Sequence, residues 1–258
     1  MLFTSEKYER KVVCFIDILG FSNIIKKTTN TSDSVKFEFQ NIVNALNLIH
    51  DHFLELRMDY GNTIQVSQFS DSIVISFSAK NYEEMIVLFK NLKLVQVTLL
   101  TDYRILMRGG IVIGEILHTE SLLLGPALID AYMLESKCAM SPRIVIDPKV
   151  IYRYNKAVKA ISELGVTDKE IIIQKDFDDT YYIDYFNFYD INFFVGDNPK
   201  EYFTSICKII RDNINSSDIS IRVKYLWMRN KLKGSSFYKK GADYREIYKR
   251  IVTDKQKD

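Results

Sequence analysis

The chain has 258 residues, 47% of them hydrophobic and 26% charged. That is ordinary globular composition, and the length suits one large domain or one domain with a helical annex. Lys and Arg number 35 against 33 Asp and Glu, a net charge of +2, so no overall pull toward nucleic acid or an anionic membrane is expected. The 3 cysteines (Cys14, Cys138, Cys207) lack the spacing of a disulfide framework or a zinc site. No apolar run approaches the ~20 residues that span a bilayer, and the first residues lack a signal-peptide core. The expectation is a reduced, soluble, cytoplasmic protein with no nucleic-acid or membrane partner. Few prolines and glycines (4 and 10) argue against long disordered linkers.

Lys11–Ile18 is a short β-branched run and reads as a buried strand, followed by a Leu19–Ser22 turn. Ser32, Asp33 and Ser34 offer helix caps before Val35–Met58, where Phe39, Ile42, Val43, Leu46, Ile49, Phe53 and Leu56 recur at helical spacing. Thr63–Phe69 and Ser72–Ser78 read as a hairpin turning at Ser70 and Asp71. Asn81 can cap a helix reaching about Leu100. Arg104–Ile113 reads as a strand ended by Gly114, Ala127–Ala139 as a helix, and Arg143–Asp147 as a strand closed by Pro148. Strand, helix, strand, strand, helix, strand is the split βαβ order of ferredoxin-like and palm folds. It implies an α+β fold with a mixed or antiparallel sheet and helices on one face.

The second half is less regular. Lys149–Lys159 reads as helix, Ile171–Gln174 and Tyr181–Phe188 as strands, and Tyr202–Asn213 and Asp218–Leu232 as helices. The tail after Gly234 is basic and short of large aliphatics. A boundary near residue 190 would divide a catalytic domain (1–190) from a helical annex (191–258).

Asp17 closes an otherwise apolar strand, where an ionised carboxylate is costly unless paired or bound to metal. Asp71 sits at the hairpin tip. If the hairpin lies beside the first strand, the two carboxylates meet, and a divalent cation relieves their repulsion. Magnesium or manganese, held by few carboxylates and substrate phosphates, is the matching chemistry. Backbone N–H groups of the Ile18–Ser22 turn can cradle phosphates, with Gly20 allowing close approach. Read singly, Asp17 is a strand-end cap and Asp71 a turn residue.

Phe15-Ile16-Asp17-Ile18-Leu19-Gly20-Phe21-Ser22 resembles the F-x-D-I-x-G-F-[ST] signature of the class III nucleotidyl cyclases. Phe69-Ser70-Asp71-Ser72 is similar to that family's metal hairpin, and Arg108–Gly114 to its R-x-G-I-x-x-G run. Gly125–Glu135 falls where the family has G-x-x-[VL]-N-x-A-x-R-L-E. The four matches keep order and spacing from residue 11 to about 147. The resemblance implies a cyclase fold in which Asp17, Asp71 and the Ile18 carbonyl hold two divalent ions (Mn2+ or Mg2+). The segment Phe15, Leu19, Gly20, Phe21 and Ser22 would bind the triphosphate, and Arg108 its distal phosphates. It further implies attack of the ribose O3′ on the α-phosphorus, and a homodimer with sites at the interface.

The departures are specific. The family's helix Asn falls at Ile129 and its transition-state Arg at Met133, neither able to donate a side-chain hydrogen bond. Its purine-reading Lys falls near Ser67 and the partner Asp near Leu122. Arg143, Lys137 and Tyr132 are candidate replacements. A narrower resemblance joins the intact aspartates to Gly125–Ser136, Pro142–Asp147 and Lys224–Trp227. It is to the bacterial pyrimidine cyclases of Pycsar antiphage systems, whose cyclic UMP or cyclic CMP activates a separate effector. UTP is slightly favoured over CTP. A purine cyclase, and a cyclase-like pseudoenzyme that only binds nucleotide, remain alternatives.

Other features are read as structural. His50 and His52 point to different helix faces, and His118 suits a surface or core role. The aromatic run Tyr181–Tyr189 suits a buried strand. Asp176, Asp178 and Asp179 lack EF-hand spacing and read as a solvated turn. The Lys231–Lys257 cluster is interleaved with acids and reads as a solvated tail. Walker A and G-x-S-x-G motifs are absent.

Overall fold

A computed structural model describes residues 7–27, 33–60, 63–80, 82–163, 173–187 and 199–253. The expected capping positions Ser32 and Asn81, and Ile171 of the seventh strand, lie outside them. The first strand, β1 (Glu9–Ile18), is followed by the short helix α1 (Phe21–Lys27) and the long helix α2 (Asp33–Asp59). The hairpin β2 (Gln65–Phe69) and β3 (Ser72–Ser78) turns at Ser70 and Asp71 as expected, with Ser70 at a φ of +57°. Helix α3 (Tyr82–Thr98) ends in a π-helical turn, Leu99–Tyr103.

β4 (Met107–His118) does not stop at Gly114. A side chain there would bring its Cβ to 2.9 Å from that of Ala127, so the glycine admits a helix against the strand rather than breaking it. The two-residue strand β5 (Leu123–Leu124) leads into that helix, α4 (Pro126–Cys138). Then come β6 (Ile144–Ile146), α5 (Pro148–Glu163), β7 (Ile173–Lys175) and β8 (Tyr181–Ile183). The strand expected through Phe188 ends at Ile183, because Asp184 turns its carboxylate back onto the Phe186 N–H at 2.9 Å.

The mixed sheet runs β2-β3-β1-β4-β6-β8-β7, with β5 beside β4. All of these pairs are antiparallel except β4 with β6. β1 is apolar on both faces, which strand alternation turns into two cores. Val12, Cys14, Ile16 and Ile18 meet Ile42, Ile49 and Phe53 of α2 and Phe89 of α3. Val13 and Phe15 meet Ala127 and Ala131 of α4. The one-sided layer expected from the helix order thus holds for α2, α3 and α5, while α4 covers part of the other face. Each fully buried Ile or Phe contributes about 1.5–3 kcal/mol, so this sandwich of β1 dominates the core.

A further core lies at the β8 end. Helices α6 (Pro199–Asn213) and α7 (Ile219–Gly234) bury Phe203, Ile206, Trp227 and Met228 against Val97, Leu106, Tyr182 and Phe186. Asp218 caps α7, accepting from the Ser220 and Ile221 N–H groups at 2.7 and 3.3 Å. The segment after Gly234 is not a solvated tail. It forms α8 (Ser236–Lys240), α9 (Ala242–Tyr248) and a π-helical turn, Lys249–Thr253. Phe237, Tyr248, Ile251 and Val252 are buried, aromatic area replacing the missing aliphatics.

Candidate active site

Register places the candidate residues. Asp17 lies opposite Ser72 of β3 on one side and Arg108 of β4 on the other. All three side chains project from the sheet face that α4 shares. The Asp71 carboxyl, one residue before Ser72, is within hydrogen-bonding reach of Asp17. Burial, then the charge of Asp71, raises the Asp17 pKa, and Arg108 opposes both. Arg108 donates to Asp17 Oδ2 from Nε and Nη2 at 3.2 and 3.1 Å, and Ser72 Oγ lies 3.5 Å from Oδ1.

A third carboxylate belongs to this cluster. Glu135 of α4 is 1% exposed, and its Oε1 stands 2.6 Å from Arg108 Nε. That N–H is aligned on Asp17 instead, so Glu135 Oε1 receives no aligned hydrogen bond. Burial raises the Glu135 pKa; Arg108 lowers it, and Asp17 and Asp71 add to the rise. Gly110 sets this geometry. A Cβ there would come within 2.4 Å of the Ala131 carbonyl and 3.0 Å of Glu135 N, so only glycine lets α4 lie directly on β4.

The other expected residues divide. Ile18 is buried toward α2 and α3, leaving only its backbone for the site. Gly20 has a φ of +82°, and the helical N–H groups of Phe21 and Ser22 open α1 beyond it. The Leu19 N–H is not available to a phosphate: it donates to the Leu106 carbonyl at 2.8 Å. The Phe15 ring is 6% exposed, edge-on to Tyr132 at 5.5 Å and 6.4 Å from Phe69, so it supports the site from within. Ile129, Tyr132 and Met133 stand exposed on α4, at 62%, 50% and 36%. Phe69 is also exposed on this side of the sheet, and Leu122 is exposed in the β4–β5 turn. Ser67 is held by His118, 2.9 Å away.

Arg143 is not a free cation for this site. It is buried beneath α7, donating to Asp176, to Asp178 (2.5 and 3.2 Å) and to the Cys138 carbonyl (3.1 Å). Trp227 Nε1 and Lys231 Nζ complete the Asp176 shell at 2.7 and 2.5 Å. The turn expected to be solvated is therefore the ionic joint between the sheet edge and α7. Lys137, in the last turn of α4, is exposed.

Oxygen-only donors and two mutually repelling carboxylates fit a hard divalent ion that keeps waters and substrate phosphates as its remaining ligands. Among the described residues, no group of three or more His, Cys, Asp or Glu forms a self-sufficient metal cage. All cysteines are free, and no described helix is long and apolar enough to cross a membrane.

No protein-family profile and no curated protein matches the chain. Several solved structures are similar to it, three of them as follows. The adenylyl cyclase CyaB from P. aeruginosa has 18% identity over 69% of this chain and 95% of its own, with a TM-score of 0.40. The catalytic core of a rhodopsin-guanylyl cyclase with converted specificity, in complex with ATPαS, has 14% identity over 69% and 96%, TM-score 0.43. The adenylate/guanylate cyclase/hydrolase from Silicibacter pomeroyi has 14% identity over 69% and 98%, TM-score 0.42. Likeness of this degree assigns neither activity nor substrate.

Proposed function

We propose that the chain is a nucleotidyl cyclase that converts a pyrimidine nucleoside triphosphate to its 3′,5′-cyclic monophosphate and pyrophosphate. The observation that carries this reading is the meeting of Asp17 and Asp71 beside Arg108, on an open sheet face, within motifs that resemble the class III cyclases. Asp17, Asp71 and the Ile18 carbonyl would hold two divalent ions. When bound, such ions make the ribose 3′-hydroxyl more acidic and neutralise the departing pyrophosphate. Arg108 already spans Asp17 and Glu135, and its fork suits the distal phosphates. Gly20 and the first N–H groups of α1 would receive phosphate oxygens. The O3′–Pα bond forms as the bond from Pα to the β-phosphate oxygen breaks, and the hydroxyl proton is released.

Phe69 of the hairpin and Ile129 and Tyr132 of α4 are exposed on the side of the sheet that carries the carboxylates. An apolar rim of this kind suits a homodimer that closes each site across its interface. Ser67 and Leu122, in place of the purine-reading pair, favour a pyrimidine, UTP slightly before CTP. The cyclic product would serve as a second messenger of antiphage defence, acting on a separate effector. The test is incubation with ATP, GTP, CTP and UTP plus manganese, with products separated by mass. A cyclic pyrimidine monophosphate supports the reading, and a cyclic purine product keeps the chemistry and overturns the base. Exposed Ile129 and Met133, which offer no polar group, favour one second reading: a regulator that binds triphosphate without turnover. Binding with no pyrophosphate release from any of the four would establish it.

A further inference from the structure

Two carboxylates contend for Arg108. Its Nε and Nη2 both donate to one oxygen, Asp17 Oδ2, at 3.2 and 3.1 Å. Glu135 Oε1 stands closer to Nε, at 2.6 Å, yet takes no aligned hydrogen bond from it or from any other described residue. Glu135 is 1% exposed, so water does not supply the missing bond. A buried carboxylate oxygen left in that condition is costly.

The geometry on β1 explains why the arginine sits where it does. Asp17 and Asp71 lie within hydrogen-bonding reach, and Arg108 offsets their repulsion. A divalent ion held by the two aspartates would offset it with twice the charge, and would repel a guanidinium lying on Asp17 Oδ2. Arg108 and such an ion therefore compete for Asp17, and the outcome depends on where the guanidinium can go.

Glu135 is the nearest destination. Its Oε1 is already within hydrogen-bond distance of Nε, so a change of angle completes the bond. The same movement satisfies the orphaned acceptor. Close packing keeps that acceptor in reach. Gly110, two residues from Arg108 on β4, lets the Ala131–Glu135 turn of α4 lie directly on the strand.

We propose that Glu135 is a positioning residue that draws Arg108 off Asp17 when a divalent ion enters. One arginine then serves as counter-ion to the aspartates before loading and as phosphate clamp after it. This deepens the cyclase reading and rests on it, since only an ion at Asp17 and Asp71 would displace the arginine.

The test reads metal binding to the full chain, with no nucleotide and no turnover. Manganese is titrated in and the free ion followed by its EPR signal, with Asp17→Asn defining loss of the site. Arg108→Met should tighten binding about tenfold, because a competing positive charge is gone. Glu135→Gln should weaken it severalfold, because the arginine stays on Asp17. In the double variant the Glu135→Gln effect should vanish. A carboxylate that only lends its charge to the metal weakens binding in both backgrounds, and that result overturns the inference. Nitrogen NMR of arginine-labelled protein gives a second reading that does not need Arg108→Met to fold. The Arg108 Nε–H resonance, assigned from Arg108→Lys, should move on adding magnesium to wild type and stay put in Glu135→Gln; equal movement in both overturns the inference. Manganese binding with additive effects sinks this inference alone. No manganese binding to any variant, Arg108→Met included, sinks the two-metal reading and this inference together.

Discussion

Replacing Arg143 by Met tests whether that cation serves stability or catalysis. The guanidinium is 4% exposed and holds Asp176, Asp178 and the Cys138 carbonyl. Removing one partner of a buried ion pair costs about 3–5 kcal/mol, because the other charge is left uncompensated. The lower end applies here. Lys231 and Trp227 remain on Asp176, and Asp178, with a side chain 34% exposed, can recover water. About 3 kcal/mol corresponds to a fall in Tm of roughly 6–12 °C at this chain length. The deficit also has a pH signature. The Arg143 hydrogen bonds hold the Asp178 pKa below its usual value. At Asp176, burial works against ionisation, but Lys231 and Trp227 outweigh it. Both folded pKa values are depressed, so this stabilisation is full above about pH 4 and lost as pH falls further. Urea denaturation of wild type and Arg143→Met at pH 7 and pH 3 should show the deficit at the first and a smaller one at the second, where the loss has only begun. A deficit under 1 kcal/mol at pH 7, or an equal one at pH 3, would refute the assignment. So would Arg143→Lys that melts normally but has lost turnover.

The same cluster logic yields three further expectations. Asp71→Asn should abolish metal-dependent turnover while stabilising the metal-free protein by up to about 1 kcal/mol at pH 7. The Asp17 pKa is raised, so its penalty appears as pH climbs through that value; melting at pH 7 against pH 4 would expose a variant that gains nothing. Glu135→Gln keeps the volume but removes the second carboxylate from Arg108. The KM for triphosphate should rise severalfold with no loss of Tm, since the buried carboxylate lacks an aligned hydrogen bond; an unchanged KM removes Glu135 from the site. Gly110→Ala should cost about 1–3 kcal/mol by pushing α4 off β4 and should lower turnover beyond the loss of folded protein, which a denaturation curve and an assay below the melt separate.

Local chemistry made much of this protein legible. The apolar run at Lys11–Ile18, the hairpin turning at Asp71 and the helical spacing of Ile42, Ile49 and Phe53 each announce an element, because strand and helix periodicities act over neighbouring residues. The pairing of Asp17 with Asp71 was also readable, since a hairpin beside the first strand leaves little freedom of register. Burial of single charged or aromatic residues was not readable. Asp176 and Asp178 look like an exposed turn until Arg143, 33 and 35 residues away, and Trp227, 51 away, are brought onto them. Phe237, Tyr248 and Ile251 look like a basic tail until α6 offers them a surface. Gly114 looks like a strand end until Ala127 occupies the space it leaves. Glu135 and His118 matter only through partners on other strands and helices. Their roles come from desolvation and hydrogen-bond satisfaction, and both depend on which atoms the whole fold places within about 3 Å.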